Sequence, residues 1–332
     1  ATFSGDALFY LSDFNGAYTN FEWTQYLKNA DFSGSQFNAY STFEGAIFGD
    51  ETNFLATKFS NGANFYDVAF LGNAVFTKSH FVEDSIFSGA NFGYTADFGY
   101  AKFDGPTYFG TALFRGNAAF NNSQFLTSAD MTNAQFGKDL EMNSSRINRM
   151  VLDGSVFNES SQIFLAKADI NKFMVSWSLI KDILCFDTSA YLSLVKNYKD
   201  LGQSNDANDC YYEYRYLNQN NKAIGFSKLL DVVAWLSCGY GVRPHYALFC
   251  GLIVILLFSA ILLLGRGVDG FHDLHGRQLL LSSAYYSTIA FTANSKGLPL
   301  KGHYKYLGIA EGIIGWLLMA LFLVTLGKIM IG

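Results

Sequence analysis

The chain has 332 residues, of which 33 are Phe, 20 are Tyr and 3 are Pro, and its formal net charge is −5 at pH 7. This acidic balance argues against a nucleic-acid binder that neutralises phosphates with Lys and Arg. The cysteines at 185, 210, 238 and 250 include no Cys-x-x-Cys pair, so we expect reduced thiols and no disulfide framework. The sequence contains no Ser-His-Asp set, P-loop or Gly-rich dinucleotide turn in a suitable context. We therefore expect no enzyme, no cofactor and no metal site.

Large apolar residues recur between Phe32 and Phe136 at alternating steps of five and six. A small residue usually stands two places before each one, as Ala30 does before Phe32. In an α-helix a step of five residues turns by about 140°, so these side chains would not share a face. The large residues are at 32, 37, 43, 48, 54, 59, 65, 70, 76, 81, 87, 92, 98, 103, 109, 114, 120, 125, 131 and 136, and all are Phe except Met131.

A square β-coil fits this spacing. Each unit of five or six residues forms one short side, with the large residue and the small one before it pointing to the axis. Four sides of 5, 6, 5 and 6 residues give a coil of 22 residues, and stacked coils lie about 4.8 Å apart. Phe then stacks on Phe along the axis, in a dry column that no single coil could bury alone.

The segments GANFYDVAF and SGANFGYTADF resemble the pentapeptide-repeat family, whose unit has a central Leu or Phe and an Ala two places before it. The resemblance implies a right-handed quadrilateral β-helix, which we assign to residues 1–186, with a fading register at both ends. The six-residue steps depart from the family's spacing of five, so we expect a slightly larger or bulged coil. The repeat says little about function, because one fold supports many activities.

Residues 187–243 are predicted to form a helical linker. Its first helix begins at an N-cap, Thr188 or Ser189, and ends at Gly202. Its second helix begins at Asn205 or Asp206.

The segment FSKLLDVVAWLSCGYGVRPHY, at the end of the linker, is predicted to form a third helix. It gathers Leu229, Leu230, Val233 and Leu236 on one face and places Lys228 elsewhere. Such a helix suits the interface of a membrane, where Trp and Tyr rings are favoured. The alternative is an ordinary surface helix on a soluble domain.

Residues 244–332 have the pattern of a membrane domain. The run from Tyr246 to Leu264 is apolar and uncharged, and its nineteen residues span about 29 Å, enough for a transmembrane helix. The stretch 279–293 is apolar but too short to span, which suits a re-entrant helix. A second span follows at 306–332. We therefore expect two transmembrane helices with a re-entrant pore helix between them.

The segment AYYSTIAFTANSKGLPL resembles the pore of two-span potassium channels, in which the pattern is Thr-x-Thr-Thr-Val-Gly-Tyr-Gly. The resemblance implies a glycine hinge in the inner helix at Gly315. The joining of pentapeptide repeats to such a module through Gly239 to Pro244 is similar to known prokaryotic proteins, so we expect a prokaryotic origin. The implied selectivity filter consists of Thr292, Ala293, Asn294, Ser295, Lys296 and Gly297.

This filter departs from the family pattern. Carbonyl ladders for dehydrated K⁺ need backbone conformations that Gly reaches easily and Ser295 does not. Lys296 would add a positive charge per subunit near the axis, which repels cations unless the side chain bends away. Weakly selective cation conduction, K⁺ selectivity through another geometry, anion conduction and a non-conducting relative all stay open.

Three polar residues of the second span are further candidates. An intramembrane carboxylate is a functional suspect, and Glu311 is either a brace behind the filter or an interfacial residue in water. Thr325 and Lys328 lie toward the inner end, where they would form a gate. A membrane anchor, with its ammonium group reaching the headgroups, is the alternative for Lys328.

These observations predict an oligomeric channel, with four subunits by similarity to the pore family, that conducts K⁺ or Na⁺. The partners are other copies of the chain, these ions and the lipid bilayer, with no nucleic acid. We expect a multi-pass protein of the cell membrane with a cytoplasmic C-terminus and a cytoplasmic β-helix that acts as a scaffold or gating ring. The alternative is a membrane-anchored interaction protein without conduction.

Overall fold

The computed structural model describes residues 1–271, 274–292 and 298–331. The chain divides into two compact units, Ala1–Tyr211 and Tyr212–Gly332. The boundary lies inside the third helix of the chain, Ser204–Asn221.

The first unit is a parallel β-solenoid of about eight turns, as the Phe spacing predicts. Most of its strands are two residues long: they hold either the inward Phe and the residue before it, as in Gln36–Phe37, or the inward small residue and the one after it, as in Ala30–Asp31. In chain order, β1 to β29 are Thr2–Phe3, Ala7–Leu8, Asp13–Phe14, Thr19–Asn20, Gln25–Tyr26, Ala30–Asp31, Gln36–Phe37, Ser41–Thr42, Ile47–Phe48, Thr52–Asn53, Lys58–Phe59, Ala63–Asn64, Ala69–Phe70, Ala74–Val75, His80–Phe81, Ser85–Ile86, Asn91–Phe92, Ala96–Asp97, Lys102–Phe103, Thr107–Tyr108, Leu113–Phe114, Ala118–Ala119, Gln124–Asp130, Gln135–Phe136, Leu140–Glu141, Arg146–Val151, Val156–Phe157, Ile163–Phe164 and Asp169–Met174.

Over most of the solenoid the pairing of the strands confirms a coil of 22 residues, whereas paired residues are 23 apart in the first coil (Thr2 with Gln25) and 21 apart near the end (Gln135 with Val156). In β11, Phe59 pairs with Phe37 of the preceding coil and with Phe81 of the following one. Two faces form eight-stranded sheets, one starting at β1 and the other at β2. In each of these sheets a strand pairs with the strand that comes three or four places later in the chain. The other two faces belong to a single sheet of 13 strands. They are joined because β23, β26 and β29 are six or seven residues long and continue through the corner at which the chain turns in earlier coils.

Tight turns explain the five-residue steps. Ser35 N–H donates to the Phe32 carbonyl over 3.1 Å, and Gly34, the second of the two residues between them, has a φ of +67°. This is the left-handed position of a type II turn, which glycine adopts without strain. One coil later Ala56 occupies the same position with a φ of +53°, so the solenoid imposes this turn even where the sequence lacks glycine.

An aromatic column fills the axis. The Phe65 ring is stacked between those of Phe43, at 4.9 Å, and Phe87, at 4.8 Å. The rings of Phe54 and Phe76 meet it edge-on at 5.4 Å. The column also extends closer to the start of the chain than the sequence suggests: the second coil has a regular register, and Tyr26 stacks on Phe48 at 4.6 Å.

Two helices close the last coil of the solenoid, α1 at Trp177–Ile180 and α2 at Thr188–Asp200. The predicted N-cap of α2 was one residue late, because the carboxylate of Asp187 accepts hydrogen bonds from the backbone N–H groups of Ser189 and Ala190. The buried side chain of Asn197 exchanges two hydrogen bonds of 2.8 Å with the backbone of Phe173 in β29. It thereby provides hydrogen-bond partners for the Phe173 N–H and carbonyl groups, which lie on the open edge of the last strand.

The second unit is helical. It contains part of α3, Ser204–Asn221, followed by α4, Phe226–Cys238, and a short 3₁₀ turn, Gly239–Gly241. Three longer segments complete it: α5 at Pro244–Gly265, α6 at Gly276–Phe291 and α7 at Tyr304–Ile331. The helix α3 begins at Ser204, just before the predicted start.

Candidate functional site

Two helices of the second unit are long and apolar enough to cross a membrane, Pro244–Gly265 and Tyr304–Met330. Their large side chains are mostly exposed: Leu252 is 54% exposed and Trp316 is 62% exposed. A core helix of a soluble protein would bury such residues, and an exposed apolar surface of this extent marks contact with lipid or with another protein.

The chain between the two spans forms a loop that is closed at its base. Just after α5, Val268 pairs with Leu300, which lies just before α7, in an antiparallel bridge. Asp269 N–H donates to the Pro299 carbonyl over 2.7 Å, and Lys301 N–H donates to the Gly267 carbonyl over 2.9 Å. Leu262, Val268, Phe271 and Leu300 form a buried cluster there. The segment that contains α6 therefore leaves and returns at the same end of the two spans.

A polar contact ties α6 to both spans. The Ser287 hydroxyl lies 2.9 Å from the Ile255 carbonyl of α5 and is hydrogen-bonded to the carboxyl group of Glu311 in α7. Glu311 is 1% exposed within the chain. A hydroxyl carries one proton, so Ser287 can donate to only one of these oxygens at a time. Ser287 thus links α6 to both α5 and α7.

One turn further along, the end of α6 is wedged between two glycines. A Cβ atom added to Gly251 of α5 would lie 3.0 Å from the Phe291 ring, and one added to Gly315 of α7 would lie 2.0 Å from the Phe291 carbonyl oxygen. Any larger residue at Gly315 would displace the α6 backbone. Gly315, the predicted hinge, lies in the interior of the continuous helix α7 at this close contact.

These contacts give the depth that α6 reaches. Glu311 lies seven residues and Gly315 eleven residues after Tyr304, which places them about 10 Å and 17 Å from the start of α7. Gly251 lies fourteen residues before the end of α5, or about 21 Å from it. The last residue of α6 therefore lies about 17 Å along α7 and about 21 Å along α5 from the end at which the loop leaves and returns.

The predicted filter begins where α6 ends. Thr292 is its C-cap, and the hydroxyl of Thr292 donates to the Ile289 carbonyl over 2.9 Å. The other predicted filter residues, 293–297, lie outside the described residues. Near the far end of α7, Thr325 is buried and its hydroxyl contacts the carbonyls of its own helix, whereas Lys328 is exposed.

The helix α4 exposes its apolar side. Phe226 is 75% exposed, and Leu229, Leu230, Val233 and Leu236 are each more than half exposed. The opposite side carries the buried Asp231, which contacts Lys222 Nζ at 2.5 Å and Arg215 Nη2 at 2.9 Å. The hydrogen bond from Lys222, and then that from Arg215, hold the pKa of Asp231 below its usual range. The exposed apolar face agrees with the sequence pattern of α4, and the placement of this helix at a membrane interface stays a prediction.

Sequence reasoning missed three residues that position α6: Ser287, Phe291 and Gly251. A weak signal exists for the last of them, because Ala247 and Gly251 are small residues four positions apart in a run of large ones, as in helices that approach each other closely. Nothing in the sequence shows which residue of α6 they face.

The fold and the site together define a β-solenoid protein with a helical unit, two helices of which are long and apolar enough to cross a membrane. Residues 54–102 and 98–146 match the family model of pentapeptide repeats, described as nine copies. This match supports pentapeptide repeats in the middle of the solenoid, in agreement with the sequence pattern. No curated protein and no solved structure shows a significant match to the chain.

Proposed function

We propose that this protein is an oligomeric ion channel of the cell membrane, not an enzyme, in which residues 244–332 form the pore. The observation that carries the proposal is the closed loop between Val268 and Leu300, whose helix α6 lies between two apolar helices and contacts both of them well beyond the base of the loop. A segment that enters a bilayer and returns on the same side is tolerated where it lines a water-filled cavity or is buried in protein.

One copy with two spans encloses no hole, so several copies must surround a common axis. By similarity to two-span potassium channels we propose four, with residues 292–297 of each as the selectivity filter. The ions are inorganic cations, K⁺ or Na⁺. Thr325 and Lys328 would form the gate at the other end of the pore.

An even number of spans puts both ends of the chain on one side of the membrane. We propose that this side is the cytoplasm, where the solenoid acts as a scaffold or gating ring. A protease added outside intact cells tests this orientation. Cleavage within residues 1–211 would contradict it, whereas protection of those residues and cleavage within 266–303 would support it.

Reversal potentials of the purified full-length protein in planar bilayers test conduction and the filter together. In gradients of KCl and in K⁺ against Na⁺, we expect the wild type to pass cations and Lys296→Tyr to shift the ion selectivity. Lys305→Tyr is the matched control, because Lys305 is exposed on the first turn of α7. Identical selectivity of wild type and Lys296→Tyr would remove Lys296 from the ion path. Silence under voltage, stretch and pH changes would favour a membrane anchor.

The brace is tested in the same bilayers. Glu311→Gln keeps a side chain that can accept the hydrogen bond from Ser287, so we expect it to conduct much like the wild type. Glu311→Leu keeps a similar bulk and cannot form this hydrogen bond, so we expect the open current to fall at least tenfold. Equal currents from the two variants would show that the hydrogen bond does not position α6.

A further inference from the structure

A cleft of about 270 Å³ lies between α5 and α7 at the end of α6. All three helices contribute to its lining, which consists of apolar side chains. Its floor is buried: Ala247 is 3% exposed and Phe291 is 9% exposed. At its rim, Leu248 is 57% exposed and Leu252 is 54% exposed, so the cleft opens on the outer surface of the spans.

The sequence of α5 explains why this space is open. Ala247 and Gly251 stand four residues apart on one face of α5, where small residues usually let a second helix approach closely. The ring of Phe291 takes up the space at Gly251. Ala247, one turn away on the same face, also lines the cleft. Along α5 the lining runs from Ala247 to Ile255, a length of about 12 Å.

The occupant of such a cleft is apolar. Water would find no hydrogen-bond partners on this lining, and an apolar cavity of roughly 150 Å³ in another protein stays dry and binds benzene. A charged or strongly polar ligand would lose its hydration without compensation.

We infer that the cleft binds one acyl chain of a bilayer phospholipid. The groove is elongated along the span and opens where α5 and α7 present exposed apolar side chains, and hydrocarbon chains are what lies against that surface in a bilayer. The bound chain contacts Phe291, the last residue of α6 before the proposed filter. The inference rests on the membrane part of the proposed function and is independent of ion conduction.

Photolabelling of the full-length protein tests this site. The protein is reconstituted in vesicles of phosphatidylcholine that carries a diazirine at the end of one acyl chain, irradiated and digested, and the labelled residues are mapped by mass spectrometry. We expect label on the cleft residues of α5 and α7. Ala247→Leu fills the groove, so label in the cleft should fall at least fivefold. Ala260→Leu makes the same change at an exposed position of the same helix and should leave the label in the cleft unchanged.

The outcomes separate this inference from the proposed function. If exposed residues such as Phe249 are labelled and the cleft is not, a second copy of the chain covers the groove and the inference is wrong. Equal labelling of the cleft in wild type and Ala247→Leu would also overturn it. If no residue of α5 or α7 is labelled, the two helices do not lie in the bilayer, and the proposed function fails as well.

Discussion

The aromatic column can be tested at Phe65, in the middle of the solenoid. Phe65 is 0% exposed, and its ring is stacked on two others at 4.9 Å and 4.8 Å. Leucine at this position keeps an apolar side chain but removes the ring. Aromatic pairs contribute about 0.5–1.5 kcal/mol each beyond the area they bury, so the loss of two stacked pairs costs about 1–3 kcal/mol. A residual gap adds to this, and we expect Phe65→Leu to destabilise the surrounding coils by about 2–4 kcal/mol.

Hydrogen exchange of the full-length protein, followed by mass spectrometry, measures this locally. The amide of Phe65 donates to the Ile86 carbonyl, and the amide of Phe43 donates to the Asn64 carbonyl, so these ladder amides exchange only when the coils open. The expected loss corresponds to exchange roughly 30- to 1,000-fold faster in the coils next to Phe65. Coils farther away should change less, because each repeat contacts only its neighbours.

The control is the next residue. Tyr66 is 45% exposed on the same coil, so Tyr66→Leu makes nearly the same chemical change outside the column and should alter stability by less than about 0.5 kcal/mol. If the two variants exchange alike, or if Phe65→Leu matches the wild type, stacking along the axis does not stabilise the solenoid and the reasoning fails.

Two further predictions concern buried polar groups. Asp231→Asn should speed hydrogen exchange in α4 about tenfold, because it removes the carboxylate that pairs with Lys222 and Arg215. The control Asp182→Asn, at an exposed position, should leave hydrogen exchange in α4 unchanged. Since the pKa of Asp231 is lowered, its contribution is complete above the ordinary carboxyl pKa of about 4 and is lost as the pH falls through the lowered value; a variant that stays less stable by the same amount at low pH would contradict this. The buried Tyr198 hydroxyl has no hydrogen-bond partner in the described part of the chain, so Tyr198→Phe should raise stability by about 1 kcal/mol in thermal melts. Burial also raises the pKa of Tyr198, so the wild type should lose stability above about pH 10 that the Phe variant keeps; a lower melting temperature for the Phe variant would refute the prediction.

The solenoid was predictable because its information is local and repeated. Each coil supplies large and small residues at the same spacing. Once the spacing gives a coil length of 22 residues, it also predicts which residues of neighbouring coils pair, as Phe59 does with Phe81. The details that the sequence did not predict are those that occur once. Asp187 caps α2 through its carboxylate, and the corner that straightens at β23 follows no change in the spacing of the large residues.

The helical unit was predictable in its order of elements and not in its packing. Length and hydropathy predict two helices long enough to cross a membrane with a shorter helix between them, since a bilayer of fixed thickness selects helix length. The contacts that hold α6 depend on the relative rotation and height of three helices, which hydropathy does not encode. Glu311 was identifiable because a carboxylate in an apolar run is costly. Its partner Ser287 was not, because a serine in an apolar helix satisfies its hydroxyl equally well on its own backbone, as Ser283 does on the Leu279 carbonyl at 2.8 Å.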